Sequence, residues 1–198
     1  MAPTEGQQET GALLADIPQS ANALGSAAAP VTLQYFGDLQ CPFCRDFTLE
    51  VLPSLIERWV RTEDLRIEYH ALETATREPE VFVAQQVAAL AAGKQDREWH
   101  FIETFYREQR EEGSGYVTDE FLEGIASEVP DLNLSQWNRE RADPQLAGEI
   151  AADARAAEGA GLNGTPSFLI GRSAGTMTTL ASADAASLDA AIEGLLKT

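Results

Sequence analysis

The sequence predicts an α/β domain in which a β-α-β unit and a later β-β-α unit are separated by a helical insertion. Three observations indicate this order. A β-branched and aromatic run at residues 31–36 precedes an amphipathic helix and a second strand, helical patterns fill residues 79–160, and strand patterns return after Gly161. At 198 residues the chain can bury the core of one such domain. The predicted units are a mostly extended lead-in at residues 1–29, a first half at 30–78, the insertion at 79–144 and a second half at 145–198.

The first elements follow from short-range patterns. The lead-in over residues 1–29 is rich in Ala, Gly, Gln, Ser and Thr, which favours extended chain. Val31–Phe36 suits a buried strand. A helix is expected from Pro42, because apolar residues then recur every four positions, and Pro53 predicts a kink or break in it. A second strand at Leu65–Leu72 is expected to pair in parallel with the first, since a helix connects them.

The middle of the chain is predicted to be helical. Thr118, Ser135 and Asp143 are expected to be N-caps, because their side-chain oxygens can accept from the free N–H groups of a first turn. The predicted helical segments are Glu80–Ala92, Asp96–Arg110, Thr118–Val129, a short piece after Ser135, and Pro144–Gly159.

The C-terminal elements complete the pattern. Ser167–Ile170 and Thr176–Leu180 flank a glycine-containing turn and predict a β-hairpin. Apolar residues then recur at helical spacing from Leu188 to Leu196, which predicts a terminal amphipathic helix.

Charge and hydropathy exclude several classes of protein. The 14 basic and 32 acidic side chains give a net charge of −18, which repels phosphate backbones and anionic lipid surfaces. The sequence therefore predicts no nucleic-acid partner. No apolar run approaches the roughly 18 residues of a membrane span, and the first thirty residues lack a signal-peptide pattern.

The two cysteines, Cys41 and Cys44, are the strongest chemical signal. A bridge between residues so close in sequence closes almost no loop, so a structural staple is a poor explanation. A zinc site would need His70 and His100 as further ligands, and these lie in a predicted strand and in the insertion, so no metal or cofactor is expected. With Pro42 at the first helical position, Cys41 becomes the N-cap, where free N–H groups and the helix dipole favour a thiolate. The pair therefore predicts thiol–disulfide exchange, with Cys41 as the exposed nucleophile and Cys44 as the buried partner.

A second signal, Thr165-Pro166, stands directly before the predicted hairpin. Base rates alone favour a trans bond at such a proline, since only about 5 % of X–Pro bonds are cis. Together, however, the motifs resemble those of bacterial DsbA-like thiol:disulfide oxidoreductases of the thioredoxin superfamily. The residues that carry the resemblance are Ala29-Pro30-Val31-Thr32, Asp38-Leu39-Gln40-Cys41-Pro42-Phe43-Cys44 and Gly164-Thr165-Pro166-Ser167-Phe168.

The resemblance implies a thioredoxin fold with a helical lid and a cis-Pro166 packed beside Cys41. It implies catalytic roles for Cys41 and Cys44, and substrate-binding or redox-tuning roles for Pro42, Phe43, Thr165 and Pro166. The implied substrates are thiol- or disulfide-containing proteins, and a membrane or soluble redox partner would regenerate the pair. Because disulfides persist outside the cytoplasm, we expect an extracytoplasmic monomer, secreted or tethered in the cell envelope, whose export segment is absent from this sequence.

Two departures leave the direction of the reaction open. Phe43 stands where strong oxidants of the family often have His, and Tyr35 stands where many members have a buried acid. Glu50, Glu68 or water are then alternative proton acceptors for Cys44. Oxidation of exported proteins is the leading hypothesis. A reductase or isomerase of the same fold, and a peptide-binding, chaperone-like module with incidental thiols, are the alternatives.

Overall fold

Residues 4–197 are described by a computed structural model, in which a six-stranded sheet has the order β1-β2-β4-β3-β5-β6. The strand β3 runs through its middle, and only Gln34 of its residues is not fully buried. It pairs in parallel with β4, as the sequence predicted for the β-α-β unit, and antiparallel with β5. The strands are β1 (Gln19–Ser20), β2 (Ala23–Leu24), β3 (Val31–Gly37), β4 (Leu65–Ala71), β5 (Ser167–Arg172) and β6 (Thr178–Leu180).

The helix after β3 is continuous but irregular. It begins with α2 (Pro42–Asp46), widens into a π-helical turn at Phe47–Val51, returns to α-helix in α3 (Leu52–Leu55) and widens again at Ile56–Val60. The break expected at Pro53 takes the form of the first wide turn, which directly precedes the segment Leu52–Leu55 that contains the proline. Pro53 cannot donate to the carbonyl one turn back, and the wide turn, which is closed by Leu52 N–H donating to the Phe47 carbonyl, accommodates this loss.

The predicted helices of the insertion and the second half are present. The caps expected at Thr118 and Asp143 are confirmed, whereas the cap predicted at Ser135 is wrong, because Asn133 accepts from the Gln136 N–H at 3.0 Å. No helix within residues 4–197 is long and apolar enough to span a bilayer. The helices are α4 (Pro79–Gly93), α5 (Glu98–Arg107), α6 (Asp119–Glu128), α7 (Leu134–Glu140), α8 (Pro144–Gly159) and the terminal α9 (Ala185–Leu196).

The mostly extended lead-in predicted for residues 1–29 is wrong at residues 5–14, whereas residues 15–29 contain no helix. Glu5–Leu14 forms helix α1, whose N-cap Thr4 exchanges side-chain and backbone hydrogen bonds with Gln7. Leu14 is buried, and the Arg61 guanidinium donates to three carbonyls at the end of α1. The next residues form the short strands β1 and β2, and β2 extends the sheet beyond β4. Residues 1–3 lie outside the described residues.

Candidate active site

The cysteine pair lies at the start of α2, shortly after the end of β3. Cys41 has extended backbone angles, φ −72° and ψ 121°, and is the N-cap of α2, while Pro42 takes the first helical position. Both cysteines are free thiols. The expected exposure of Cys41 is wrong, because the residue is only 4 % exposed, whereas the burial of Cys44 is confirmed. Pro42 and Phe43, between the cysteines, are both exposed, and Phe43 has 70 % of its surface in contact with solvent.

The two thiols have opposite acidities. The largest effect on the pKa of Cys41 is a hydrogen bond from the Cys44 thiol, which lowers it. Burial raises this pKa, whereas Thr165 and the backbone N–H groups of Cys44 and Phe43 lower it further. The resulting pKa of Cys41 is about 6. Burial raises the pKa of Cys44 well above its ordinary value, and the hydrogen bond to Cys41 raises it further. At neutral pH the reduced pair therefore holds one thiolate and one proton, with the proton on the inner sulfur.

The peptide bond between Thr165 and Pro166 is cis, which confirms the expectation drawn from the resemblance. The fold brings this bond, 124 positions away in sequence, beside the first cysteine, and the Cys41 Sγ lies 3.4 Å from the Thr165 carbonyl oxygen. The Thr165 hydroxyl forms a short hydrogen bond with the hydroxyl of Thr74. The loop after β4 thus supports the cis-proline loop through this hydrogen bond.

Asp38 is the site residue that reasoning from the sequence missed. It is fully buried, and one of its carboxylate oxygens accepts from the backbone N–H groups of Thr74, Ala75 and Thr76 at 2.8–3.1 Å. The other oxygen accepts from the Gln40 N–H, the Thr76 hydroxyl and the Gln85 amide. Asp38 therefore ties the approach to Cys41 to the loop that holds Thr165. Its place in the Asp-x-x-Cys run was the available signal.

Tyr35 on β3, one of the two departures from the resembled pattern, lies beside the backbone of Cys44. Its hydroxyl lies 3.3 Å from the Cys44 carbonyl, 3.2 Å from the Thr48 hydroxyl and 3.4 Å from the Tyr106 hydroxyl. Tyr106 in turn donates to the Asp38 carbonyl at 3.2 Å. Burial raises the pKa of Tyr35 well above its ordinary value. A set of neutral hydroxyls therefore surrounds the inner cysteine.

The two carboxylates considered as proton acceptors lie elsewhere. Glu68 is held on β4 by Arg66, at 3.0 Å, and by the Gln34 amide. Glu50 is exposed on the helix that follows the cysteines. Neither forms a hydrogen bond to Cys44 among the contacts of the described residues.

An open groove of about 370 Å³ runs beside the cysteine pair. Its floor is mostly apolar, and it extends from the exposed Phe43 to the cis-proline loop. The wide turn after α2 supplies one wall, so the irregular helix shapes the groove. The lining residues are Phe43, Asp46, Phe47, Glu50, Val51, Thr165, Pro166 and Ala183.

Neither histidine is placed near the cysteines. His70 Nδ1 lies 2.7 Å from an Asp153 carboxylate oxygen, and His100 Nδ1 lies 3.0 Å from the Gln19 amide nitrogen. Within residues 4–197, no group of three or more His, Cys, Asp and Glu side chains is arranged to hold a metal ion.

Comparison with known proteins gives likenesses over most of the chain. A family model described as Thioredoxin matches residues 19–193. The Bacillus anthracis protein named Probable disulfide bond formation protein D is 27 % identical over 178 residues, which span 88 % of this chain and 78 % of that protein. Oxidised BdbD from Bacillus subtilis superposes with a TM-score of 0.77 at 19 % identity, over 92 % of this chain and 100 % of that one. A thioredoxin-like oxidoreductase from Silicibacter pomeroyi DSS-3 is 25 % identical, with a TM-score of 0.66 over 95 % and 98 % of the two chains.

Proposed function

Since the chain belongs to the thioredoxin family, we propose that it is a protein disulfide oxidoreductase that converts pairs of thiols in other polypeptides to disulfides. The observation that carries this proposal is the pair of opposite acidities at Cys41 and Cys44. A buried dithiol in which one sulfur is a thiolate and the other keeps its proton is stabilised in the reduced state. A stabilised reduced state makes the corresponding disulfide a good electron acceptor.

The reaction is a pair of thiol–disulfide exchanges. A substrate thiolate attacks Sγ of Cys41 in the Cys41–Cys44 disulfide, the sulfur–sulfur bond breaks, and Cys44 leaves with the electron pair and takes a proton. A second substrate thiolate then attacks the substrate sulfur of the mixed disulfide, and Cys41 leaves as a thiolate. The substrate loses two electrons and the protein gains them. A pKa of about 6 makes Cys41 the better leaving group of the two.

The groove beside the pair suits an extended polypeptide. Phe43 offers an exposed ring for an apolar side chain, and Pro42 fixes the turn that presents it. The backbone at Thr165 and Pro166, directly before β5, can pair with an extended segment in the manner of strand addition. These four residues are therefore proposed as the substrate-binding and redox-tuning set.

The setting of the reaction follows from its chemistry. An oxidising dithiol is useful where disulfides persist, so we place the protein outside the cytoplasm, secreted or tethered in the cell envelope. The name of the Bacillus anthracis relative, a disulfide bond formation protein, supports the oxidising direction of the reaction. A membrane or soluble partner would return the pair to the disulfide after each turnover, and the protein is proposed to act as a monomer.

The test is to mix the oxidised protein with an equal amount of a reduced peptide that carries two cysteines, and to follow the loss of peptide thiols. We expect stoichiometric oxidation, a reduction potential above the value of about −270 mV typical of thioredoxin, and complete loss of oxidation in Cys41→Ser with an unchanged circular dichroism spectrum. A potential at or below that value would indicate the reductase alternative. Full biological activity of Cys41→Ser would instead support the chaperone-like alternative.

A further inference from the structure

We infer that Asp46 and Glu50, on the rim of the active-site groove, select substrate segments in which Lys or Arg lies near the reacting cysteine and an apolar side chain. This inference rests on the proposed oxidase function and names the class of substrate that the site prefers. The two carboxylates are outside the thiol chemistry itself, so they are specificity-determining residues.

The apolar half of the recognition rests on Phe43. Exposed large apolar side chains are rare among the described residues, and Phe43, at 70 %, is far more exposed than Val83 at 36 % or Leu134 at 41 %. Phe43 follows Cys41 by two positions, and its side chain borders the groove that Phe47, Val51 and Pro166 also line. An exposed aromatic ring beside a groove is typical of a surface that packs against a partner.

The acidic half rests on the placement of Asp46 and Glu50. Both line the groove, and they stand four positions apart on the same helix, where like charges repel each other. The only ion pair that either makes among the described residues joins Asp46 to the exposed Arg45 at 3.8 Å. The helix thus places two carboxylates that repel each other beside an apolar groove, and few cationic side chains of the protein neutralise their charge.

The charge at the reacting sulfur has the same sign. Among the described residues the groove is lined by two carboxylates and by no Lys or Arg, and the Cys41 sulfur, a thiolate at neutral pH, lies 3.4 Å from the carbonyl of the groove residue Thr165. A Lys or Arg of the substrate would be attracted to this rim, and a Glu or Asp would be repelled. Exposed charge pairs are worth about 0.2–1 kcal/mol each, which is a factor of about 1.4–5. Because a basic substrate is attracted and an acidic one is repelled, the preference between them should be about two- to 25-fold per carboxylate.

The experiment compares three peptides that share two cysteines and a phenylalanine beside the first, and that carry two Lys, two Gln or two Glu at the next positions. Oxidation rates are measured with the oxidised full chain at low and high salt. The test variant is Asp46→Asn with Glu50→Gln. The matched control is Glu123→Gln with Glu158→Gln, which removes the same charge at exposed positions outside the groove.

The wild-type protein and the control variant are expected to oxidise the Lys peptide at least fivefold faster than the Glu peptide, and the groove variant is expected to reduce this ratio at least threefold. High salt should reduce the wild-type ratio as well, because it screens exposed charges. Equal rates for the three peptides, or an equal loss of preference in both double variants, would overturn the inference. Oxidation of none of the peptides would instead refute the proposed function, so the two failures are distinguishable.

Discussion

Lowering the pH should destabilise the reduced protein more than the oxidised one, because only the reduced protein contains the Cys41 thiolate. The pKa of Cys41 is depressed from an ordinary 9.0 to about 6 by the hydrogen bond from Cys44, against the effect of burial. A group with a depressed folded-state pKa contributes stability above its unfolded pKa and loses it as the pH falls through its folded pKa. The loss for Cys41 should therefore run from pH 9 to below pH 6.

The size of the effect follows from the two pKa values. Between pH 8 and pH 5 the linkage relation gives a change of about 2.6 kcal/mol, which we reduce to about 2 kcal/mol because solvent in the groove screens the sulfur. Cys44 contributes little in this range, because burial raises its pKa above it. The oxidised protein has no thiol to titrate, so subtracting its stability cancels the other ionisable groups.

The measurement is urea unfolding of the reduced and oxidised forms at several pH values, with the thiolate followed by its ultraviolet absorbance. The difference in unfolding free energy between the reduced and oxidised forms should rise by about 2 kcal/mol from pH 5 to pH 8. Reduced Cys41→Ser serves as the control and should show no such rise. A flat difference, or an absorbance titration with a midpoint at 8.5 or above, would refute the account of the site.

Three further predictions test other parts of the structure. Burial raises the pKa of Glu103 to about 8, against the opposing effect of the nearby Arg107. The stability of the wild-type protein should therefore fall by about 2–4 kcal/mol as the pH rises from 4.5 through 8. Glu103→Gln should remove this fall in urea titrations of the oxidised protein. Tyr35→Phe should cost about 1–2 kcal/mol, because it removes buried hydroxyl contacts, whereas Tyr116→Phe should cost less, because the Tyr116 hydroxyl makes no hydrogen bond to a side chain of the described residues. Asp38→Ala should lower the stability by at least about 3 kcal/mol and slow peptide oxidation, because it leaves the backbone N–H groups of the loop after β4 unpaired. Unchanged stability would contradict the role of Asp38 in holding this loop.

The sequence identified the features that arise from local chemistry. Cys41 and Cys44 were recognisable by their spacing, and the helix start at Pro42 by the restricted backbone of proline. The cis bond at Pro166 was predictable only through resemblance, because its setting depends on residues more than a hundred positions away.

What the sequence did not reveal depends on tertiary contacts. The helix α1 is weakly amphipathic and depends on Leu14 burial and on Arg61, which reaches its last carbonyls from the helix after β3. The strands β1 and β2 have two residues each, too few for a periodic pattern. Asp38 binds a loop nearly forty positions downstream, so nothing local marks it as buried.

The two edge strands of the sheet bear on how the protein survives among its proposed substrates. β1 has two residues and β6 has three, so each edge offers few free backbone groups to another chain. Long exposed edges recruit partly folded polypeptides into aggregates. A protein that handles reduced, unfinished chains is repeatedly in contact with such material. Its short edges would confine strand pairing to the loop at Thr165, where pairing leads to thiol–disulfide exchange and then to release of the substrate.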